Sequence, residues 1–236
     1  MKIVTWNCNR AFRRKYESIS LLKADIYVIQ ECEDPAVCID KLYKKWAANY
    51  LWIGDSKNKG LGIFASQNIK LSELAWEPIY EGHAVKYFLP CEVNLNFKLL
   101  AVWTHFNNSP NFGYMGQFWK YLQLHKSKME NIIIAGDFNS NTIWDEWDRW
   151  WNHSDVVREL REIKIESLYH WYTGERQGEE TKPTFHLQKN INKPYHIDYC
   201  FASKEYCERV MEFEIEPYEG WKHLSDHSPI VISIKQ

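Results

Sequence analysis

The sequence predicts a mixed α/β (α+β) chain in which stacked β-sheets are covered by helices. Three observations lead there. Short apolar, β-prone runs recur from end to end, and segments of helical period interrupt them without the strict alternation of a doubly wound sheet. Polar residues gather where the apolar runs stop. No repeat, low-complexity tract or Pro/Gly-rich linker divides the 236 residues, so residues 1–236 read as one domain of ordinary size.

The elements follow in order. Ile3-Val4-Thr5-Trp6 is a short strand, and a basic stretch (Arg10, Arg13, Arg14, Lys15) leads into an amphipathic helix through Ile19, Leu21 and Leu22. Ile26–Ile29 is strand-like. Residues 35–48 are expected to be helical, from the recurrence of Val37, Leu42, Trp46 and Ala47. Four strands follow, at 61–65, 69–74, 86–93 and 97–104, set apart by turn-prone residues. Residues 114–129 resume a helical period through Met115, Phe118, Leu122 and Met129. Ile132–Ala135 is a buried-strand pattern stopping at Gly136, and a helix passes through Val156, Val157 and Leu160. Strands at 197–202, 210–215 and 229–234 close the chain.

Apolar residues make up 45% and charged residues 25%, ordinary for a globular protein, and the net charge of −2 lacks the basic signature of a protein that coats duplexes. The first residues hold no export signal and no segment has membrane-spanning length. The six cysteines lack CxxC spacing, which argues for reduced thiols rather than structural zinc. A cytoplasmic protein is expected.

Chemistry concentrates at the strand ends. Asn7 and Asn9 follow the first strand, Gln30-Glu31 the second, and Thr104-His105 a third. Gly136-Asp137-Phe138-Asn139 closes a fourth; His196-Ile197-Asp198-Tyr199 opens another and Ser225-Asp226-His227-Ser228-Pro229 the last. Taken singly each is ordinary: a Gly-Asp pair after a strand is a turn signal. Together they hold the parts for phosphoester hydrolysis. Glu31 and Asp226 offer hard oxygens suited to Mg²⁺ or Mn²⁺. His227 is a donor to a phosphoryl oxygen, with Asp198 to orient and charge it. Asp137 is placed to orient or deprotonate water, with Asn139 and Asn7 as neutral partners.

The set WNxN, QE, TH, GDFN, IDY and SDHSP resembles the endonuclease/exonuclease/phosphatase superfamily, in family order from Trp6 to Pro229. The resemblance implies a four-layer sandwich of two packed, mainly antiparallel β-sheets flanked by helices, with one or two Mg²⁺ or Mn²⁺ ions. It makes Glu31 the principal metal ligand, Asp226 a further one, and Asn9 the residue that completes the metal site. Asp137 would activate water with Asn139 and Asn7, Asp198 and His227 would stabilise the transition state, and His105 matches a histidine of the pancreatic-type nuclease, deadenylase and tyrosyl-phosphodiesterase branches. Some relatives have Asp where Asn9 stands, and many have Arg where His196 stands.

Other residues carry two readings. Trp144, Trp147 and Trp151, at i, i+3 and i+7, read as the buried face of a helix; the functional reading makes Trp144 part of a wall that stacks on a base. Helical spacing favours the core. Arg10 and Lys57 are the basic candidates for steering a polyanion. His83, His125, His153, His170, His186 and His223 read as structural or surface residues, and His196 as a structural one. Residues 173–182 read as a mobile loop covering the site. The expected substrate is a nucleic acid, cut as an endonuclease or exonuclease; the alternatives are a small phosphoester (nucleotide, inositol phosphate or phospholipid headgroup) or a binding protein that has lost activity.

Overall fold

The computed structural model describes residues 1–107 and 111–235. Its strands, in chain order, are β1 (Lys2–Asn7), β2 (Ile26–Cys32), β3 (Tyr50–Ser56), β4 (Lys59–Ala65) and β5 (Leu71–Glu73). A small ribbon, β6 (Ile79–Tyr80) and β7 (His83–Ala84), precedes β8 (Phe88–Val93), β9 (Phe97–Trp103), β10 (Ile132–Asp137) and β11 (Ile165–Ser167). A second ribbon, β12 (Phe185–His186) and β13 (Pro194–Tyr195), precedes β14 (Asp198–Ser203), β15 (Val210–Ile215) and β16 (Ile230–Ile234). The helices are α1 (Tyr16–Ser20), α2 (Lys41–Trp46), α3 (Met115–His125), α4 (His153–Glu162), α5 (Leu168–Thr173), α6 (Lys204–Cys207) and α7 (Tyr218–Trp221).

Twelve strands form two sheets of six, ordered β15-β16-β1-β2-β4-β3 and β11-β14-β10-β9-β8-β5. Each is antiparallel except for one parallel pair, β1 with β2 and β9 with β10. The inner faces share one apolar layer, in which Val28, Leu61 and Ile232 of the first sheet join Leu89, Leu99 and Ile133 of the second. Burying each such side chain stabilises the fold by about 1.5–3 kcal/mol. Phe118, Leu122, Val156 and Leu160 bring α3 and α4 onto the outer face of the second sheet. An aromatic cluster of Phe12, Tyr43, Trp46 and Phe64 covers the outer face of the first. Two sheets between two helical layers give the four-layer sandwich.

Three sequence expectations are corrected. The helix expected over 35–48 is confined to Lys41–Trp46, started by Asp40, whose carboxylate accepts from the Leu42 and Tyr43 amides at 3.0 Å. Tyr43 is the residue buried there, while Val37 and Leu42 face solvent. The segment 144–151 is not helical. Asn141 starts a short 3-10 turn, Thr142–Trp144, and the Asn152 side chain then bonds the backbone of Glu146 and Arg149. Asp145 accepts from the His153 and Ser154 amides, so the helix begins only at His153. Of the four tryptophans in this segment Trp151 is buried, and Trp144, Trp147 and Trp150 are exposed. Residues 173–182 are pinned rather than free: Glu175 accepts from Thr181, and Glu180 accepts from Gly178 and Asn141 and pairs with His170.

Candidate active site

Both parallel pairs end at the same edge of the sandwich, and the predicted residues gather there. Asp137 is the last residue of β10, opposite Asp198, the first of β14. Gly136 makes this register reachable. Its φ is +155° and a Cβ would lie 1.8 Å from the Val102 carbonyl oxygen of β9. The Gly of the GDFN element therefore serves close strand approach inside a ladder, not the turn that the sequence suggests. Asn139, at φ 46°, then turns the chain back.

Asp137 is buried and fully engaged: Oδ2 accepts from Asn7 Nδ2 at 2.9 Å and Oδ1 from the Asn139 amide at 2.9 Å. Burial and the facing Asp198 charge raise its pKa to about 7, against the pull of His227 and its two donors. His227 turns its Nδ1 to Asp198, 2.9 Å from Oδ2, which leaves Nε2 for a substrate. Burial alone would lower its pKa, but the Asp198 carboxylate outweighs it and holds the imidazole up at about 9. At neutral pH the His227 ring is therefore an imidazolium.

The backbone locks this arrangement. Trp6 Nε1 donates to the His227 carbonyl at 3.0 Å, and Ser225 Oγ donates to the Asn7 carbonyl at 2.7 Å. Lys15 is the residue that sequence reasoning missed as a tie. Its Nζ donates to the carbonyls of Cys8 and Leu224, both at 2.6 Å, and of Asn9 at 3.2 Å, closing the first and last site loops on each other. Only its place in a basic run was visible in sequence.

The second group of predicted residues is more open. Glu31 sits where the β2–β4 register slips, at φ 63°. Such a bulge adds one residue and re-aims its side chain: Gln30 and Cys32 are both buried while Glu31 is not. Its carboxylate meets Lys59 at 3.3 Å and Arg10 at 3.8 Å. Asn9 donates to Asp226 Oδ1 at 2.9 Å. Asn9, Arg10 and Ala11 are all left-handed, a strained run of the kind that collects at functional sites. Glu31, held by Lys59 and Arg10, and Asp226, held by the Asn9 amide, are hard oxygen donors of the kind that suit Mg²⁺ or Mn²⁺. Asp137, Asp198 and His227 also place one ligand atom each within 4.8 Å of one another. That trio suits protons better, because its inward donors and acceptors already satisfy each other.

His105 lies beside the Trp103 and Tyr87 rings, its pKa lowered first by burial and then by Lys59. Lys57, on the β3–β4 hairpin turn, is exposed, and the lysine that meets Glu31 and the Trp103 ring is Lys59, two residues on. Arg10 reaches Glu31 but is mostly exposed. Trp144 leans on Tyr195, 5.2 Å between ring centres. His196 is buried, its Nδ1 2.8 Å from the Lys182 carbonyl, and takes no part in the cluster. Asn141, another residue the sequence gave no reason to single out, bonds the His196 carbonyl, Tyr199 and Glu180, and so joins the GDFN loop to the start of β14.

No protein-family description and no curated protein sequence matches this chain. Solved structures do. A 3′-5′ exonuclease from Neisseria meningitidis superposes over 100% of both chains with a TM-score of 0.68 at 16% identity. An AP endonuclease from Archaeoglobus fulgidus does so over 100% of both at 0.66 and 18%. The endonuclease domain of TRAS1, a telomere-specific non-LTR retrotransposon, matches 99% of this chain and 97% of its own at 0.64 and 16%. At such identities the likeness is one of fold, and the chain shares the fold of these three enzymes. No helix among the described residues is long and apolar enough to cross a membrane.

Proposed function

We propose that this chain, acting as one domain, is a divalent-metal-dependent hydrolase that cleaves phosphodiester bonds of DNA or RNA in the cytoplasm, where unpaired thiols stay reduced. The observation that carries the reading is the buried Asp137–Asp198–His227 cluster, with ligand atoms within 4.8 Å of one another and Asn7 bonded to Asp137. A carboxyl near pH 7 beside an imidazolium is the pairing needed to take a proton from water and to neutralise charge on phosphorus. The fold relatives, an exonuclease and two endonucleases, support nucleic acid as the substrate class.

In this reading Asp137, as carboxylate, receives the proton of the attacking water, whose position Asn7 and Asn139 fix. The water oxygen bonds phosphorus as the ester P–O bond breaks, and the leaving oxygen departs with the bonding pair and takes a proton from solvent. His227 donates from Nε2 to a non-bridging oxygen, its charge held by Asp198, and neutral His105 offers a further hydrogen bond. Glu31 and Asp226, with Asn9, would hold the metal ion, which supplies Lewis-acid polarisation of the phosphoryl group.

The test is hydrolysis, with Mg²⁺ or Mn²⁺, of single- and double-stranded DNA and RNA beside nucleotides, inositol phosphates and phospholipid headgroups. Polymer cleavage by the wild type, lost in Glu31→Gln and Asp137→Asn, is expected. Hydrolysis confined to small esters overturns the substrate class. Equal activity in wild type and both variants overturns the site.

A further inference from the structure

Beside Asn139 opens a cleft of about 280 Å³, lined by Tyr114, Gly116, Asn139, Trp144, Arg149 and Trp151 among others. That is just below the range of pockets that hold small molecules, about 300–1,000 Å³, and suits one ring system rather than a duplex. The cleft is continuous with the candidate active site through Asn139. The Tyr114 amide also donates to the His105 carbonyl at 2.8 Å.

Its walls are aromatic and half open: Trp144 is 44% and Tyr114 45% exposed. Its floor is rigid. Trp151 is buried, stacked on Phe112 with ring centres 4.1 Å apart. A Cβ at residue 116 would come within 2.9 Å of the Trp151 ring, so the indole seats there because Gly116 has none. Tyr114 is held at φ 50°, ψ −109°, an unusual backbone for a bulky residue. Two exposed ring faces around a hollow form a surface that a planar ligand covers.

The polar groups favour a neutral ring over an anion. Asp145 already accepts from the His153 and Ser154 amides, so the start of α4 offers no vacant anion site. Arg149 is committed to the Trp144 backbone carbonyl at 3.0 Å and to Glu146 at 3.4 Å. The geometry points to a subsite for one unpaired nucleobase, stacked on Trp144 next to the phosphate-handling residues. This rests on the phosphoester reading above and deepens it: the preferred nucleic acid is single-stranded or frayed where it is cut. Trp147, 95% exposed, does not line the cleft and takes no part.

Binding is measured by fluorescence anisotropy on Glu31→Gln protein, with a short single-stranded oligonucleotide and an abasic sugar-phosphate oligomer of equal length. The base-containing strand is expected to bind tighter. Adding Trp144→Ala should remove that preference and weaken the oligonucleotide about 5- to 100-fold. Trp144→Phe should retain most of it, and Trp147→Ala should leave it intact. Equal binding of both oligomers, or a preference that survives Trp144→Ala, overturns the subsite. Wild-type turnover answers the other question separately. Polymer cleavage with no role for Trp144 keeps the phosphoester reading and removes the base site. A Trp144-dependent preference without any hydrolysis does the reverse.

Discussion

Two carboxylate regions stand side by side in this molecule and are built in opposite ways. Asp137 and Asp198 end and begin neighbouring strands of one sheet; both are buried, and every oxygen named above has a partner inside the protein. Glu31 sits on a bulge of the other sheet and faces Lys59 and Arg10, while the half-buried Asp226 accepts from Asn9. The contrast is set by the backbone: ladder register aims one pair inward, and one inserted residue turns Glu31 outward. In the dry pair, burial and the facing carboxylate raise the Asp137 pKa, which suits acid–base work. The open carboxylates are hard oxygen donors and suit a hydrated cation.

The largest test of this contrast is Gly136→Ala. A methyl group 1.8 Å from the Val102 oxygen cannot be housed, so β9 and β10 must separate. The expected loss is at least about 3 kcal/mol in urea unfolding, together with all activity. Unchanged stability would show that the buried pair does not depend on that approach. Next comes Asp137→Asn, which keeps the shape and removes the base. Turnover should fall about 10²–10⁴-fold. A carboxyl whose folded pKa is raised to about 7 opposes folding once ionised, so Tm at pH 8 should hold or rise. A matching drop in Tm and activity would mark Asp137 as merely structural. In the wild type, activity should climb through pH 7 and fall through about pH 9, tracking Asp137 and His227.

On the open side, Glu31→Gln should raise the Mg²⁺ or Mn²⁺ concentration for half-maximal activity at least ~10-fold, as expected for loss of a metal ligand. Stability should change by no more than ~0.5 kcal/mol, because the ion pairs lost are screened by water. The smallest effect is in acid. Burial lowers His153 to about 3, and hydrogen bonds from His170, Gly178 and Asn141 outweigh burial to hold Glu180 at about 2. Both folded values lie below the unfolded ones, so their stabilisation is present at higher pH and is lost as pH falls. His153 acts below about 6.5 and Glu180 below about 4.5. The slope of unfolding free energy between pH 6.5 and 4.5 should flatten in His153→Gln, and that below pH 4.5 in Glu180→Gln.

Most of the site was legible because its residues stand at the ends of apolar runs, where alternation breaks. Asn7, Asp137, Asp198 and His227 come together as their motifs suggest. What sequence hid is geometry that depends on a partner strand. The run Ile26–Cys32 opens with four apolar residues in a row, so no alternation marks the extra residue at Glu31. Hairpin register decides that Lys59 rather than Lys57 reaches the carboxylate, and nothing local to the turn records it. The tryptophan spacing near 144–151 mimics a helix, but Asp145 and Asn152 spend their side chains on the start of α4 and bend the segment outward. Val37 and Leu42 misled for a similar reason: the buried ring there is Tyr43, which packs between Phe12 and Phe64.

The first strand pairs with the last sheet strand, β16, and Asn7 is gripped by Ser225. A ribosome adding about 5–20 residues per second leaves β1 without that neighbour for roughly 10–50 s. Throughout that interval Asn7 and Glu31 exist without Asp226 and His227. The candidate site therefore cannot assemble until the segment around residues 225–230 has been added, and a chain that stalls before residue 225 lacks the Asp226 and His227 side chains that its first strand is shaped to meet.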